Sequence, residues 1–442
     1  MRPALLGDRG GTMTGTGERH DPIQRPRPSG PAGPGPVAPE ADLASRWLGG
    51  SVVAASDESF GDKENLLTPH APAFEPGHYG NRGEIVDGWE TRRRRDGGHD
   101  WVVVRLGTPG VITSVDVATS FFTGNYPESC SVEACGYEGY PSPAELTSPA
   151  TPWVTIVPKS LLRGDEHNVF EASDPRRFTH VRLSIFPDGG IARLRVIGRV
   201  VPDPRGLEVL TIDLASQQYG GAVVASSDDF YTAASMLNRP GRARSMGEGW
   251  ETRRRRDGGC DHVVFRLAFP GVVRRIVVDT AHFRYNASAE VALYGCGQDA
   301  VPPSDSTAWL PLLGRTRLQP DTRHEFASKC AQPVVMVRLD AIPDGGLSRV
   351  RLIGSIEAKA RRAAGYQWFN SLPPAQAVQC LVETGMSPDL ATEIDGQRPL
   401  NEGWLLSEQR HLADDRTAIS YRALASMIEG KVRRAAATHD GR

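Results

Sequence analysis

An eleven-residue string, GWETRRRRDGG, occurs twice in the chain, at Gly88–Gly98 and at Gly249–Gly259, 161 residues apart. No other feature restricts the fold as tightly, because two modules must each build the same local structure. Read alone, the string alternates like an extended strand. Glu90, Arg92, Arg94 and Asp96 fall on one side, with Trp89, Thr91, Arg93 and Arg95 on the other. An arginine-rich face beside a glutamate suits an anionic ligand, since guanidinium forks match carboxylates bidentately. The plainer reading is a strand whose arginines and acids pair across a sheet or stand in solvent.

The duplication extends well beyond the string. DLASRWLGGSVVAASDE (Asp42–Glu58) aligns without gaps on DLASQQYGGAVVASSDD (Asp213–Asp229), and VRLSIFPDGGIARLRVIG (Val181–Gly198) on VRLDAIPDGGLSRVRLIG (Val337–Gly354). Two modules, 41–200 and 201–358, therefore stand in tandem, each too long for a solenoid unit. Within them, WVVVRL, TSVDVAT, SCSVEACG, HVRLSIF and ARLRVIG are short runs rich in Val, Ile and Thr, broken by Gly/Pro turns. Helical periodicity is weak. The expected class is all-β, two tandem jelly-roll sandwiches with functional loops gathered at one end. Residues 1–40, rich in Pro and Gly, read as a disordered tail. Residues 359–442 read as a basic connector, AKARRAAGYQWF, followed by a helical appendage in which PPAQAVQCLVETG has Pro at a helix start and Gly at its end. ISYRALASMIEGKVRRAAA follows as a second helical run, and the final THDGR as a frayed end.

With 442 residues and a net charge of −2, the chain is balanced, which argues against a basic nucleic-acid footprint despite the two arginine runs. No stretch of about twenty apolar residues is present to span a bilayer, and no secretory signal is recognised. Six scattered cysteines form no CxxC and no paired Cys/His spacing, so free thiols in a reducing cytoplasm are expected. No cofactor is expected and no metal ligand is assigned. GxSxG, HExxH, Walker A and GxGxxG are all missing, which lowers covalent serine catalysis, zincin chemistry and nucleotide binding.

Several residues remain as candidates. Asp188 and Asp344 sit in Pro-Asp-Gly-Gly turns whose chemistry is ordinary, but the turns recur with identical flanks. His99 follows the first string where the second has Cys260, and an imidazole is a side chain suited to proton transfer. His282 falls where the first module has Phe121; His167 and His324 match each other in similar segments and read as packing residues. Ser56–Asp57 and Ser227–Asp228 read as Asx turns or caps, with ligand contact secondary.

The combination of DLAS, LGG, ASDE, ENLL (Glu64–Leu67), DGWETRRRRDGGHDW (Asp87–Trp101) and the duplicated PDGG strands resembles the allantoicase family over about residues 41–358. That resemblance implies two galactose-binding-like jelly rolls and the hydrolysis of allantoate to ureidoglycolate and urea. It also implies a small-molecule substrate, without nucleic acid or membrane. Under it, Glu90, His99 and Glu251 are the catalytic candidates. Arg92, Arg94, Arg253, Arg255, Asp188 and Asp344 are the substrate-binding candidates. Oligomeric state stays open, a homo-oligomer included. The segment from Tyr366 weakly resembles the start of the decarboxylase acting on the oxo-hydroxy-carboxy-ureidoimidazoline intermediate of urate breakdown, without an HPxIG-like motif, and reads as an inactive appendage. The competing class is a non-catalytic ligand-binding tandem jelly roll, against which two intact WETRRRR copies weigh.

Overall fold

The computed structural model describes residues 39–137, 139–207, 211–405 and 415–430. Each module is organised by one nineteen-residue strand, β6 (Asp100–Ala118) in the first and β16 (Asp261–Asp279) in the second. Such a strand is too long to stay in one flat sheet. In the first module the half at residues 102–105 lies between β2 (Ser51–Ala55) and β10 (Arg177–Phe186). The half at 114–118 lies between β9 (His167–Glu171) and β12 (Arg193–Val200). Beyond β10 come β7 (Ser129–Cys135) and β8 (Val154–Leu161), and beyond β12 comes β1 (Glu40–Asp42). The strand thus belongs to both faces of a sandwich.

The sequence of β6 makes that crossing possible. Val102, Val104, Leu106 and Ile112 point into the core at even positions, and Val115 and Val117 at odd ones. The parity flips at Thr113, where the pairing with β12 skips a residue between Ser114 opposite Ile197 and Ile112 opposite Gly198. One extra residue in a strand reverses which face every later side chain occupies. β16 repeats the device with opposite parity. Val263, Phe265, Leu267 and Val273 precede the skip at Arg274, and Ile276 and Val278 follow it.

The second sandwich comprises β14 (Ala222–Ser226), β16, β20 (Val334–Ile342), β17 (Glu290–Cys296) and β18 (Leu310–Arg317) on one face. The other face holds β13 (Ile212–Asp213), β22 (Arg349–Ile356), β16 and β19 (Arg323–Ala327). All six cysteines are free thiols. Among the described residues no helix is long and apolar enough to cross a membrane.

Four features differ from the reading of the sequence. Glu40, assigned to the tail, already pairs with Arg199 in β1; the rest of that tail to residue 38 lies outside the described residues, as does the final THDGR. The basic connector is a fourteen-residue helix, α2 (Ala358–Ser371), because its Ala, Lys and Arg are strong helix formers and Trp368 and Phe369 are fully buried. It packs with α3 (Pro374–Glu383), α4 (Pro388–Gly396) and α5 (Asp415–Glu429) around a third core that also takes in Val111 and Val201. The GWETRRRRDGG string is strand only at β5 (Trp89–Glu90) and β15 (Trp250–Glu251), so its alternation stops there.

Last, His167 and His324 are one residue out of phase. His167 lies opposite Ala118, whereas His324 lies opposite Val278 and Arg323 takes the place equivalent to His167. The partner of His324 by register is the buried Asn168. Both span the same gap: Asn168 accepts from Arg163 N and donates to Val117 O, and His324 is bonded to Gln319 N and Val278 O. His167 instead meets Asp116 at 2.7 Å.

Leu183 and Leu339 sit fully buried at corresponding places in the two cores. Truncating either to Ala should cost about 2–5 kcal/mol. Urea denaturation followed by tryptophan fluorescence checks this, and an unchanged midpoint in either variant would contradict the assignment of two equivalent cores.

Candidate active site

The site grows from the way the repeated string is pinned to the sandwich end. Trp89 is fully buried and its Nε1 donates to Asp57 O at 2.8 Å; Trp250 does the same with Asp228 O at 2.8 Å. β5 pairs with β11 (Gly190–Ile191), and β15 with β21 (Gly346–Leu347). The string therefore lies against its PDGG turn in both modules. Thr91, also buried, closes the junction: its amide donates to Gly189 O and its hydroxyl accepts from Gly189 N at 3.1 Å. Gly189 adopts φ 138°, and a Cβ there would sit 2.6 Å from Asn125 O, so this turn requires glycine.

Arg94 makes the decisive contacts. Its Nη1 donates to Asp100 Oδ1 at 2.7 Å, while Nε and Nη2 hold Asp96 at 3.0 and 2.8 Å. Asp100 is 1 % exposed and also accepts from Ser56 Oγ at 2.8 Å. Arg255 repeats the arrangement with Asp261 at 2.8 Å and with Asp257 at 3.1 and 2.8 Å. Hydrogen bonds from Arg94 hold the Asp96 carboxyl down to about 2, and Arg255 does the same for Asp257. The loop turns at Gly97 and Gly258, both in the left-handed region at φ 71° and 75°.

These contacts give four of the expected substrate-binding residues a place in the loop itself. The guanidiniums of Arg94 and Arg255 are each bound by two carboxylates, which shapes the loop. Asp188 and Asp344 accept from the main-chain amides of Arg94 and Arg255 at 2.7 and 2.9 Å, which makes them loop anchors as well. Arg193 and Arg349, buried in the strands after the PDGG turns, brace the residues just before the string. Arg193 bonds Asp87 O at 2.8 Å, and Arg349 bonds Glu248 O.

Arg92 and Arg253 are different. Asp57 accepts from Arg92 N and pairs with Arg92 Nε, both at 2.9 Å; Asp228 accepts from Arg253 N at 3.3 Å and Nε at 2.8 Å. The side chains remain 73 % and 65 % exposed, and among the described residues their terminal Nη atoms have no hydrogen-bond partner, although the Arg253 guanidinium lies over the Phe230 ring at 4.9 Å. Burial tends to raise the Asp57 and Asp228 carboxyls, but hydrogen bonds to main-chain amides and to the neighbouring side chains hold both below the ordinary range. Each is thus a charged anchor that fixes one edge of an arginine and leaves the other open. The Asx turns read from Ser-Asp are present too, with Ser59 N on Asp57 and Phe230 N on Asp228. Arg93, Arg95, Arg254 and Arg256 are exposed and unpaired among the described residues.

Glu90 and Glu251 are each capped by an asparagine that the sequence reading missed. Asn125 Nδ2 donates to Glu90 Oε1 at 2.7 Å, and Asn286 Nδ2 to Glu251 Oε1 at 2.6 Å. Both asparagines stand 35 residues after their glutamate, a spacing visible in the repeats. Glu90 is half-buried; burial pushes its carboxyl above the ordinary glutamate range, offset in part by Asn125. Asn125 also lines a cavity of about 210 Å³ with Phe74, Asp87, Phe121 and Phe122. This cavity belongs to the first module, which holds ten more residues between Asp57 and Gly88 than the second does between Asp228 and Gly249. His99 is exposed, its ring 4.7 Å from that of Phe186. Among the described residues no hydrogen bond joins it to Glu90. His282 bonds Ala243 O at 3.0 Å.

The chain can be set beside known proteins. The family described as Allantoicase, through its allantoicase repeat, matches residues 41–201 and 212–357. A probable allantoicase of Nocardia farcinica is 50 % identical over 317 residues, covering 71 % of this chain and 94 % of that protein. One of Streptomyces avermitilis is 45 % identical over 345 residues, covering 75 % and 90 %. The crystal structure of allantoicase from Saccharomyces cerevisiae superposes with a TM-score of 0.62 at 35 % identity, over 71 % of this chain and 93 % of that one. With both repeats matched and both copies of the arginine string in the same setting, the chain belongs to the allantoicase family.

Proposed function

We propose that the protein hydrolyses allantoate to ureidoglycolate and urea. One observation carries the reading: a glutamate held by an asparagine, one residue removed from an arginine whose outer edge is open, built twice at the ends of two sandwiches. Allantoate has a carboxylate and two ureido groups on a single tetrahedral carbon. The open Nη edge of Arg92 or Arg253 matches the carboxylate. Water then replaces one ureido group: a C–O bond forms, the C–N bond breaks, and the departing nitrogen takes a proton to leave as urea. No acyl-enzyme is required, so the missing nucleophile motifs are consistent with this route.

Glu90 is assigned as the base that readies water, with Glu251 its counterpart. Asn125 fixes the carboxylate by one oxygen and leaves the other for a proton. His99 is the second proton-transfer candidate by its place next to the string, and Cys260 in the second module means that any such role is confined to the first. The raised Glu90 carboxyl is an advantage for a base, because proton affinity closer to the working pH strengthens it.

Release of urea from allantoate by the purified protein tests the proposal, and its absence would overturn it. Glu90→Gln should lower kcat about 10²- to 10⁴-fold. Glu90 works as a carboxylate in this scheme, so activity should fall as pH drops through its raised pKa. The acid limb of the rate profile should therefore stand above the ordinary glutamate range, and a limb unchanged in Glu90→Gln would point to another group. Arg92→Ala should raise KM about ten- to a hundredfold with little change in thermal midpoint. Arg94→Ala should do the reverse, destabilising the fold by about 3–5 kcal/mol by stranding the buried Asp100.

A further inference from the structure

A second cavity, of about 320 Å³, opens where the first sandwich, the inter-module link and the second sandwich meet. Arg105, Tyr137, Thr179 and His180 line it from the first module, and Gln218 and Tyr219 from the second. Thr108 Oγ1 donates to Gln218 O at 3.0 Å across the junction. The volume lies at the lower end of the range for small-molecule sites.

Two polar side chains in this cavity have unfilled bonding capacity. His180 is 1 % exposed, and its Nδ1 is bonded to Thr179 Oγ1 at 2.8 Å. Its Nε2 has no partner among the described residues. Arg105 stands over the Tyr140 ring at 4.9 Å and has no carboxylate partner among the described residues. The register of β10 on β6 sets His180 directly opposite Arg105, so their side chains emerge from the same face at adjacent positions. Burial, and then the charge of Arg105, press the imidazole down to about 4, which leaves it neutral at physiological pH. The cavity therefore sets the Arg105 guanidinium beside a neutral hydrogen-bonding nitrogen; Arg177 and Asp203 also line it, but Arg177 Nε donates to Val201 O and Asp203 is paired with Arg205.

The second module shows what the same place looks like without this pair. Met336 stands where His180 does, opposite Arg266, and Arg266 is paired with Asp299 at 3.2 Å. A buried histidine and an arginine without a carboxylate partner among the described residues are not needed by the sandwich as such, since the repeat folds without either.

We propose that the junction cavity is a binding site for a small 2-hydroxy carboxylate, its carboxylate on Arg105 and its hydroxyl on His180 Nε2. Adjacent positions on one sheet face suit groups carried on neighbouring carbons. Ligand held there contacts both modules and thereby couples their junction to the concentration of the acid. The class includes ureidoglycolate, the product of the reaction proposed above, but the assignment rests on the cavity alone.

Titration calorimetry of the full chain with glycolate tests it, with inorganic phosphate and urea as controls. Wild type and the Arg92→Ala/Arg253→Ala double variant, which lacks the carboxylate contacts proposed above, should bind glycolate alike. Arg105→Gln and His180→Met should each weaken binding at least tenfold; the methionine is already accommodated at the equivalent place in the second module, and unchanged thermal midpoints without ligand confirm folding. Four results would overturn the proposal. They are no glycolate binding by wild type, binding that survives both cavity substitutions, loss of binding in the Arg92→Ala/Arg253→Ala double variant, and phosphate or urea binding in place of glycolate.

Discussion

The bond between Arg94 and the buried Asp100, repeated by Arg255 and Asp261, is the constraint on which the rest of the site depends. Asp100 begins β6, the strand that crosses between the two faces of the sandwich, so an arginine bound there ties the loop to the centre of the fold. A carboxylate removed from water is costly unless an opposite charge meets it. Arg94 supplies that charge, and Asp96 fixes the other side of the same guanidinium. Asp188 then holds the loop by the amide of Arg94. With the third of the four arginines locked, the first is free to lean on Asp57 with its outer edge exposed. The run of four arginines therefore combines structural and solvent-facing members within one short loop.

The two modules share this scaffold and differ around it. The first has the extra segment before the string, the cavity beside Asn125, His99 next to the loop, and the His180–Arg105 pair at the junction. The second replaces these with a shorter approach, Cys260, and Met336 beside an arginine already paired. Where two copies of a sequence fold together, one can keep the chemistry while the other keeps only the packing. Among the residues that stay identical, Trp89 and Trp250, Thr91 and Thr252, and Asp100 and Asp261 hold the scaffold, while the glutamate–asparagine pairs stand at the proposed site.

Much of the fold could be read from the sequence because it follows from local pattern. Short β-branched runs and Gly/Pro turns gave strands, and the gapless alignment of Asp42–Glu58 on Asp213–Asp229 gave the two modules. The strand crossing at Thr113 and Arg274 was not legible, since a bulge shows only in the pairing register. The site was read less well, for a physical reason. Alternation along GWETRRRRDGG presumes a continuous strand, and hydrogen bonds from Thr91 and Arg94 to the PDGG turn end it after Glu90. The loop-holding contacts of Arg94 and Asp188 are therefore not visible in the alternation. Asn125 was legible in principle, because its spacing from Glu90 recurs at Asn286, but an asparagine in a turn-like segment reads as turn chemistry. Helix α2 was obscured because its buried aromatics, Trp368 and Phe369, come only at its end.

The central claim is that the loop scaffold presents Glu90 and the open edge of Arg92 to one small acid. A crystal structure with a non-hydrolysable allantoate analogue tests it most directly. The account predicts the analogue's carboxylate on the Nη atoms of Arg92 or Arg253, its tetrahedral carbon facing the adjacent glutamate, and the Arg94–Asp100 and Arg255–Asp261 pairs unbroken. An analogue bound away from both glutamates, or one that draws Arg94 or Arg255 off its aspartate, would contradict it.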